Sequence, residues 1–464
     1  MDTSGTRSNQ QSRMKLVLVG HACWLLETAD VRILFDPLLF DPNQADCYEV
    51  HPSRSVNIDA LRDVQVVVVS HRHSDHFDLR SLAALSREAQ VLCPQDTLLA
   101  DTLRRLGFRS VRALGDWQPV RFGRTSLLAT PSDNKVPELG FVVSDSVNAV
   151  WNQVDTQVSA RTAQRVNAIH GRLDVVISPW QPLMELKFQL NEETGFPHRD
   201  YFDLLARARS SNARMLVPGA CGFRYTSGGD WMNRQAFPVA RDRFMDDLAA
   251  AWPHAPVQLE GMAPGDEIVF EGEEPVIRRQ GSPIASSSSD DEDQRVAYCP
   301  VDPFASLYRN IRERDARACG IEDVIEDLDR FVRANWEDKS SALQRLRGWK
   351  VLYQLIVCFD DFNCFVHWDL GRTGERVDGN DTRATMTSIV SGRVLRLLFE
   401  GRCGWEEAYH SGECRSFQTV AAVSEREYAF PRPGDVEDLL RLRYPYFDCF
   451  EKVIDQEIAQ WGAD

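Results

Sequence analysis

Short apolar runs alternate with amphipathic helical patterns through about the first 275 residues. Lys15 to Val19, Val31 to Phe35, Val64 to Ser70 and Gly140 to Val143 read as strands, whereas Leu79 to Arg87 and Asp96 to Leu106 read as helices. That alternation predicts an α/β domain. Beyond it, Pro303 to Trp336 is helix-rich and charged, Asn363 to Leu370 reads as a strand and Ser391 to Glu400 as a helix, which predicts a smaller α+β domain. Between them the run Ser282 to Arg295 combines four consecutive serines with an acidic cluster and has little to bury. The expected organisation is a disordered N-terminus over 1–13, a first domain over 14–278, a flexible linker over 279–297 and a second domain over 298–464. No repeat of 20 to 50 residues, the period of solenoids and propellers, is visible.

Composition narrows the function classes. With 464 residues, 43% hydrophobic and 26% charged, the chain can bury a core in each half, so global disorder is excluded. A net charge of −16 repels a phosphate backbone, which argues against nucleic acid as a partner. Eleven cysteines without a C-x-x-C pair read as free thiols in a reducing, cytoplasmic setting. The apolar stretch after Met14 is interrupted by His21 and Glu27, so neither a signal peptide nor a membrane partner is expected.

The candidate chemistry lies at the end of the Val64 to Ser70 run, in His71-Arg-His73-Ser-Asp75-His76. Three of the ten histidines fall in these six residues. A strand ending in a tight loop can splay such side chains toward one or two divalent ions, imidazoles suiting zinc and iron and the carboxylate adding a harder donor. The competing reading is a solvated polar loop.

With Gly20-His21-Ala22 and Ile33-Leu-Phe-Asp36-Pro37 upstream, this cluster resembles the metallo-β-lactamase superfamily over residues 14 to 260. The resemblance implies an αββα sandwich and makes Asp155, in Val150-Trp-Asn-Gln-Val-Asp155, a fifth ligand that bridges two metals. It also implies catalytic roles for Asp75 and Asp155. Two histidines of hydrolytic members are missing: Thr130-Pro-Ser-Asp133-Asn134 stands where one follows a Thr-Pro pair, and Val217-Pro-Gly-Ala220 stands where a late Pro-x-His is usual. In this the chain is similar to the metallo-β-lactamase-like module of the CMP-N-acetylneuraminate and UDP-N-acetylmuramate hydroxylases, oxygenases that join the module to a Rieske domain. A Rieske centre needs C-x-H and C-x-x-H pairs; here only Cys364-Phe-Val-His367 is present, so electrons would come from an external donor or from the substrate.

Other residues carry two readings each. His21 is a substrate contact or supporting group at the metals, or a satisfied core histidine. Asp36 orients a ligand imidazole or forms a turn before Pro37. His198 supplies a missing imidazole or opens a helix, and Asp133 and Glu138 face the metals or solvent. Cys221 is a thiolate or a core residue. Arg224, Tyr225, Trp231 and Arg234 line a pocket for an acidic substrate or simply pack. In the second domain, Phe365 to Leu370 and Ile389 to Gly401, followed by Trp405 to Tyr409, resemble the sterol-carrier-like fold. The Leu395, Leu397 and Leu398 stripe reads more simply as the core face of a helix, and capping the substrate or forming a homodimer is the expected role of this domain.

Three functions follow. The leading one is a nonheme iron oxygenase with one or two ions on His71, His73, Asp75, His76 and Asp155, acting on a small polar substrate beneath the second domain. The second is a zinc or manganese hydrolase of lactonase, phosphodiesterase or thioesterase type. The third is a scaffold with an eroded metal site.

Overall fold

The computed structural model describes residues 14–462 except 45–46, 183–195, 226–231, 234–235, 237–238, 254–255, 272–273, 288–319, 360–362, 424–427 and 433. The expected N-terminal disorder and most of the serine-acidic run therefore lie outside the described residues.

Strands build most of the first half, those at the sheet centres being continuous apolar runs. The first are β1 (Lys15–Gly20), β2 (Cys23–Glu27), β3 (Arg32–Phe35), β4 (Tyr48–Val50), β5 (Arg54–Val56), β6 (Val66–Val68), β7 (Gln90–Pro94) and β8 (Ser110–Leu114). There follow β9 (Pro119–Phe122), β10 (Thr125–Pro131), β11 (Leu139–Ser144), β12 (Ala149–Asn152), β13 (Leu173–Ser178), β14 (Ala213–Pro218), β15 (Phe223–Tyr225) and β16 (Gln258–Leu259), then β17 (Glu267–Glu271), β18 (Glu274–Arg278) and β19 (Ala285–Ser287). One sheet runs β18-β17-β1-β2-β3-β6-β7-β8 and the other β16-β14-β13-β12-β11-β10-β9.

The two sheets pack face to face. Leu16, Leu18, Trp24 and Phe35 meet Phe141, Val143, Val175 and Ile177 in the central layer. The alternate residues Val17, Val19 and Leu34 point outward to helices α1 (Leu79–Ala83) and α2 (Thr97–Arg105). Helices α3 (Ala160–His170), α4 (His198–Ser210) and α5 (Arg241–Ala251) cover the second sheet. Burial on both faces is why these strands read as unbroken apolar runs rather than as alternating ones.

The second domain holds a five-stranded sheet, β22-β21-β20-β23-β24, from β20 (Leu352–Cys358), β21 (Asn363–Asp369), β22 (Arg376–Asp378), β23 (Met386–Ser391) and β24 (Cys414–Gln418). Helices α6 (Ile321–Asn335), α7 (Leu343–Gly348), α8 (Gly392–Glu400), α9 (Trp405–His410) and α10 (Leu439–Arg443) pack around it. Ser391 caps α8 by accepting from the Val394 N–H. Leu395 and Leu398 are buried in its core with Leu397 packed beside them, so the stripe is a core face.

Two boundaries differ from the sequence reading. Residues 285–287 form β19, paired antiparallel with β5, because Ile284 and Ala285 bury apolar side chains in the first domain. The chain also returns at its end: α11 (Tyr446–Trp461) places Phe450 and Ile454 in the first domain's helix layer beside Leu82 and Leu103. The first domain is thus completed by residues well beyond 278.

Candidate metal centre

Strand direction brings distant residues to one edge. β3, β6 and β7 are parallel neighbours, and β1 shares their direction because both β1 and β3 run antiparallel to β2. The β1–β2 turn, the loop after β3 and the loop after β6 therefore leave the sheet on the same side. In the facing sheet β12, β13 and β14 are parallel and β11 opposes β12, which sends the ends of β12 and β14 and the start of β11 to one edge. The Leu139 N–H donates to the Ser70 carbonyl (3.2 Å) and joins the two edges.

His71, His73, Asp75 and His76 lie in the β6–α1 loop, Asp155 just after β12, Glu138 just before β11 and His21 in the β1–β2 turn. The ligand atoms fall into two groups, each within 4.8 Å: His71, His73 and Asp155, and His21, Asp75 and His76. His71 Nε2 is 2.8 Å from His73 Nδ1. Asp75 Oδ2 lies 3.0 Å from His21 Nε2 and 3.2 Å from His76 Nε2. Asp155 stands between the groups, with Oδ2 3.4 Å from His76 Nε2 and 3.8 Å from His71 Nε2. Glu138 Oε1 is 3.7 Å from His71 Nδ1, while its other oxygen accepts from Ser132 Oγ (2.6 Å).

Asp36 holds the imidazoles from behind. It accepts from the Ser70 N–H (2.7 Å) and hydroxyl (2.8 Å), and its Oδ2 is 3.0 Å from His76 Nδ1. The Ser70 hydroxyl in turn faces His71 Nδ1 at 2.9 Å. With both Nδ1 atoms engaged, His71 and His76 present Nε2 to the centre, the arrangement that fixes ligand tautomers in metal sites.

Backbone strain collects here. His21, Asp36, Val154, Ala220 and Cys221 all have left-handed φ between 41° and 58°. For the β-branched Val154 this is a marked departure, and it sits next to Asp155. Strain of about 1–3 kcal/mol per residue persists where the surrounding fold over-determines a functional geometry.

The charges are unevenly settled. Burial, its largest influence, holds the His71 pKa well below the ordinary imidazole range despite Asp155. Burial also acts to lower His76, but Asp75 and Asp155 outweigh it and raise that pKa well above the usual value. Burial and the Asp155 charge push Glu138 up. Burial would raise Asp75 and Asp155 too, yet His76 in each case leads the neighbours that hold them low.

Three carboxylates and four imidazoles thus converge on one pocket. Glu138 Oε1 and Asp155 Oδ1 are buried without a hydrogen-bond partner. Lone pairs aimed at one another and left unpaired are costly unless a cation lies between them. The donor set, nitrogen with carboxylate oxygen, suits iron, zinc or manganese.

A cavity of about 880 Å³ opens on the centre. His73, Asp75 and Asp155 line the cavity, and Trp405, Tyr409 and Arg441 of the second domain with Phe447 of α11 form part of its wall. That contribution of the second domain has no local sequence signal. Arg72, inside the metal loop, bonds Asp96 at 2.6 Å and lies 5.6 Å from the Phe447 ring centroid, tying the loop to α11.

Several candidates lie elsewhere. His198 is exposed at the start of α4 against Phe196, because Pro197 turns the chain into the helix there. Asp133 is exposed; its backbone N–H donates to the Gln157 carbonyl. Arg224 is neutralised by Glu49 at 2.5 Å across the β15–β4 pair. Tyr225 is buried, and Trp231 and Arg234 lie outside the described residues. Cys221 is buried on the cavity wall. Cys364 and His367 lie on β21, where His367 Nδ1 is 2.9 Å from the Gly379 carbonyl oxygen. The described cysteines are unbridged. No described helix is long and apolar enough to cross a membrane.

Residues 15–181 match the model of the beta-lactamase superfamily domain, and the first domain has the metallo-β-lactamase fold, a fold of metal-dependent enzymes. Over 155 residues the chain is 32% identical to a Rieske 2Fe-2S iron-sulfur protein of Mycolicibacterium smegmatis, covering 31% of this chain and 30% of that protein. A segment of 80 residues is 32% identical to the cytidine monophosphate-N-acetylneuraminic acid hydroxylase of Danio rerio, covering 17% and 14%. A third similarity, 29% over 181 residues, is to a UPF0173 metal-dependent hydrolase of Opitutus terrae, covering 36% and 72%. The chain spans less than a third of the first two relatives.

Proposed function

We propose that the protein is a nonheme iron oxygenase, with one or two iron ions held by His71, His73 and Asp155 and by Asp75 and His76. The observation that carries this reading is the mixed donor set, in which the carboxylates of Asp75 and Asp155 stand among imidazoles, with a further buried carboxylate, Glu138, 3.7 Å from His71 Nδ1. Two imidazoles with a carboxylate is a donor set of nonheme iron sites. The similarity to a hydroxylase supports the same direction.

Iron at this centre would supply the capacity to bind and reduce dioxygen. The chain's own residues do the rest. Asp36 and Ser70 orient His76 and His71, and the aromatic wall formed by Trp405, Tyr409 and Phe447 encloses a small polar substrate against His73 and Asp155. A cavity of this size matches typical small-molecule sites. An external donor would supply electrons, and the unbridged thiols favour a reducing, cytoplasmic compartment.

Similarity to a metal-dependent hydrolase supports a second reading, in which zinc or manganese activates a water and Asp75 or Asp155 takes its proton. One comparison separates them. Wild type, His73→Ala and Asp155→Ala are prepared under nitrogen with ferrous iron and assayed for bound metal and for oxygen uptake with a chemical reductant. The oxygenase reading requires iron in wild type, its loss in both variants and oxygen consumption. Colourless zinc protein indifferent to oxygen would put the hydrolase first.

A further inference from the structure

We propose that His21 is itself a metal ligand, the imidazole that replaces the one absent at position 220; this rests on the metalloenzyme reading above. Ala220 occupies the place of the late Pro-x-His in the loop after β14, so the group formed by Asp75 and His76 lacks the nitrogen expected from that loop. The structure brings another one in from the β1–β2 turn.

Three observations support the exchange. First, His21 Nε2 reaches the same Asp75 oxygen that His76 Nε2 approaches, at 3.0 and 3.2 Å, and the two rings stand 5.3 Å apart edge to face. With His76 Nδ1 engaged by Asp36, His21, Asp75 and His76 bring one ligand atom each within 4.8 Å of one another, as ligands around a cation do. Second, the turn carrying position 220 lies directly against His21. Ala22, Val154, Ala220 and Cys221 form one buried cluster, and a Cβ added at Gly222 would come within 3.3 Å of the His21 Cα. Third, His21, Ala220 and Cys221 all adopt left-handed backbone, so both turns are held in forced conformations at the centre. Since β1 and β6 point the same way while β14 belongs to the facing sheet, the same position can be served from either side of the sandwich.

The test is metal stoichiometry, independent of activity. Full-length apoprotein is titrated with ferrous iron under nitrogen, and separately with zinc, freed of excess by gel filtration and analysed for metal, alongside His21→Ala, His21→Gln and the double variant His21→Ala/Ala220→His. Circular dichroism and thermal melts check the fold of each. Wild type should hold two ions and His21→Gln one, because glutamine retains a hydrogen bond to Asp75 but gives up the imidazole donor; the double variant should regain the second. Two ions in His21→Gln, or a single wild-type ion that survives in it, would show that His21 only positions Asp75 and would overturn the proposal while leaving the metalloenzyme reading intact. A double variant that folds yet holds one ion would overturn the equivalence of positions 21 and 220. Wild type that binds neither metal would overturn the metalloenzyme reading and this inference with it.

Discussion

Asp36 serves two imidazoles with one carboxylate, contacting His76 directly and His71 through Ser70. Replacing it by alanine leaves both rings free to rotate and leaves the buried Ser70 N–H without its acceptor. Loss of such a supporting group weakens metal binding by about 10- to 100-fold, and the orphaned donor costs about 1–3 kcal/mol of stability. Asp36→Ala should therefore show both a weaker ferrous-iron isotherm and a lower Tm. Unchanged metal affinity would mean that the sandwich alone fixes the rings. At this scale the sequence is legible where donors are close together: His71, His73, Asp75 and His76 declare themselves by spacing, whereas Asp155 is found only through resemblance. His21 and Glu138 are single residues whose approach to the centre depends on which strand ends share an edge, and no local pattern encodes that.

Among the elements, β5 has a part that its three residues do not suggest. Arg54 donates from Nη1 to the Val19 carbonyl (2.9 Å) and from Nη2 to the Leu38 carbonyl (2.6 Å), with Nε 3.3 Å from Asp41. Its side chain is fully buried, and a Cβ on Gly20 would strike the guanidinium. One cation thereby pins the end of β1, just before His21, to the loop that follows Asp36. Removing Arg54 leaves the Val19 and Leu38 carbonyls without their donor, at about 1–3 kcal/mol, so Arg54→Met should lower the denaturant midpoint by a corresponding amount while conserving apolar volume. A shift no larger than that of a surface substitution would show that β1 is held by its strand pairing alone. The long elements are legible because both sheets are buried on both faces. β19 and α11 are not, since each makes its contacts with strands or helices hundreds of residues away: a serine-rich run reads as linker until β5 offers it an edge, and α11 reads as part of the second domain until its apolar face meets α1 and α2.

Across the whole molecule, α11 carries an acid into the junction between the domains. Glu457 is partly buried in a cavity shared with Asp78, which caps α1, and with Glu407 of α9. The arginines there are already engaged, Arg393 with Glu413 and Arg402 with Glu400. Burial first, and then the charges of Asp78 and Glu407, push the Glu457 pKa up to about 8. In the unfolded chain the same group titrates at ~4.3, so between these values the folded state holds a proton that the unfolded state has released. Stability from this group is then fully present below ~4.3 and is lost as pH rises toward about 8, at up to ~1.4 kcal/mol per unit, less whatever solvent relieves at a partly exposed carboxyl. Glu457→Gln removes the titration but keeps the shape. Its Tm should equal that of wild type near pH 4, exceed it progressively through pH 7 and level off above pH 8, where the wild-type carboxylate faces two other acids across the junction. Parallel Tm profiles for the two proteins would mean that Glu457 ionises freely in the folded state and that the junction carries no such charge conflict.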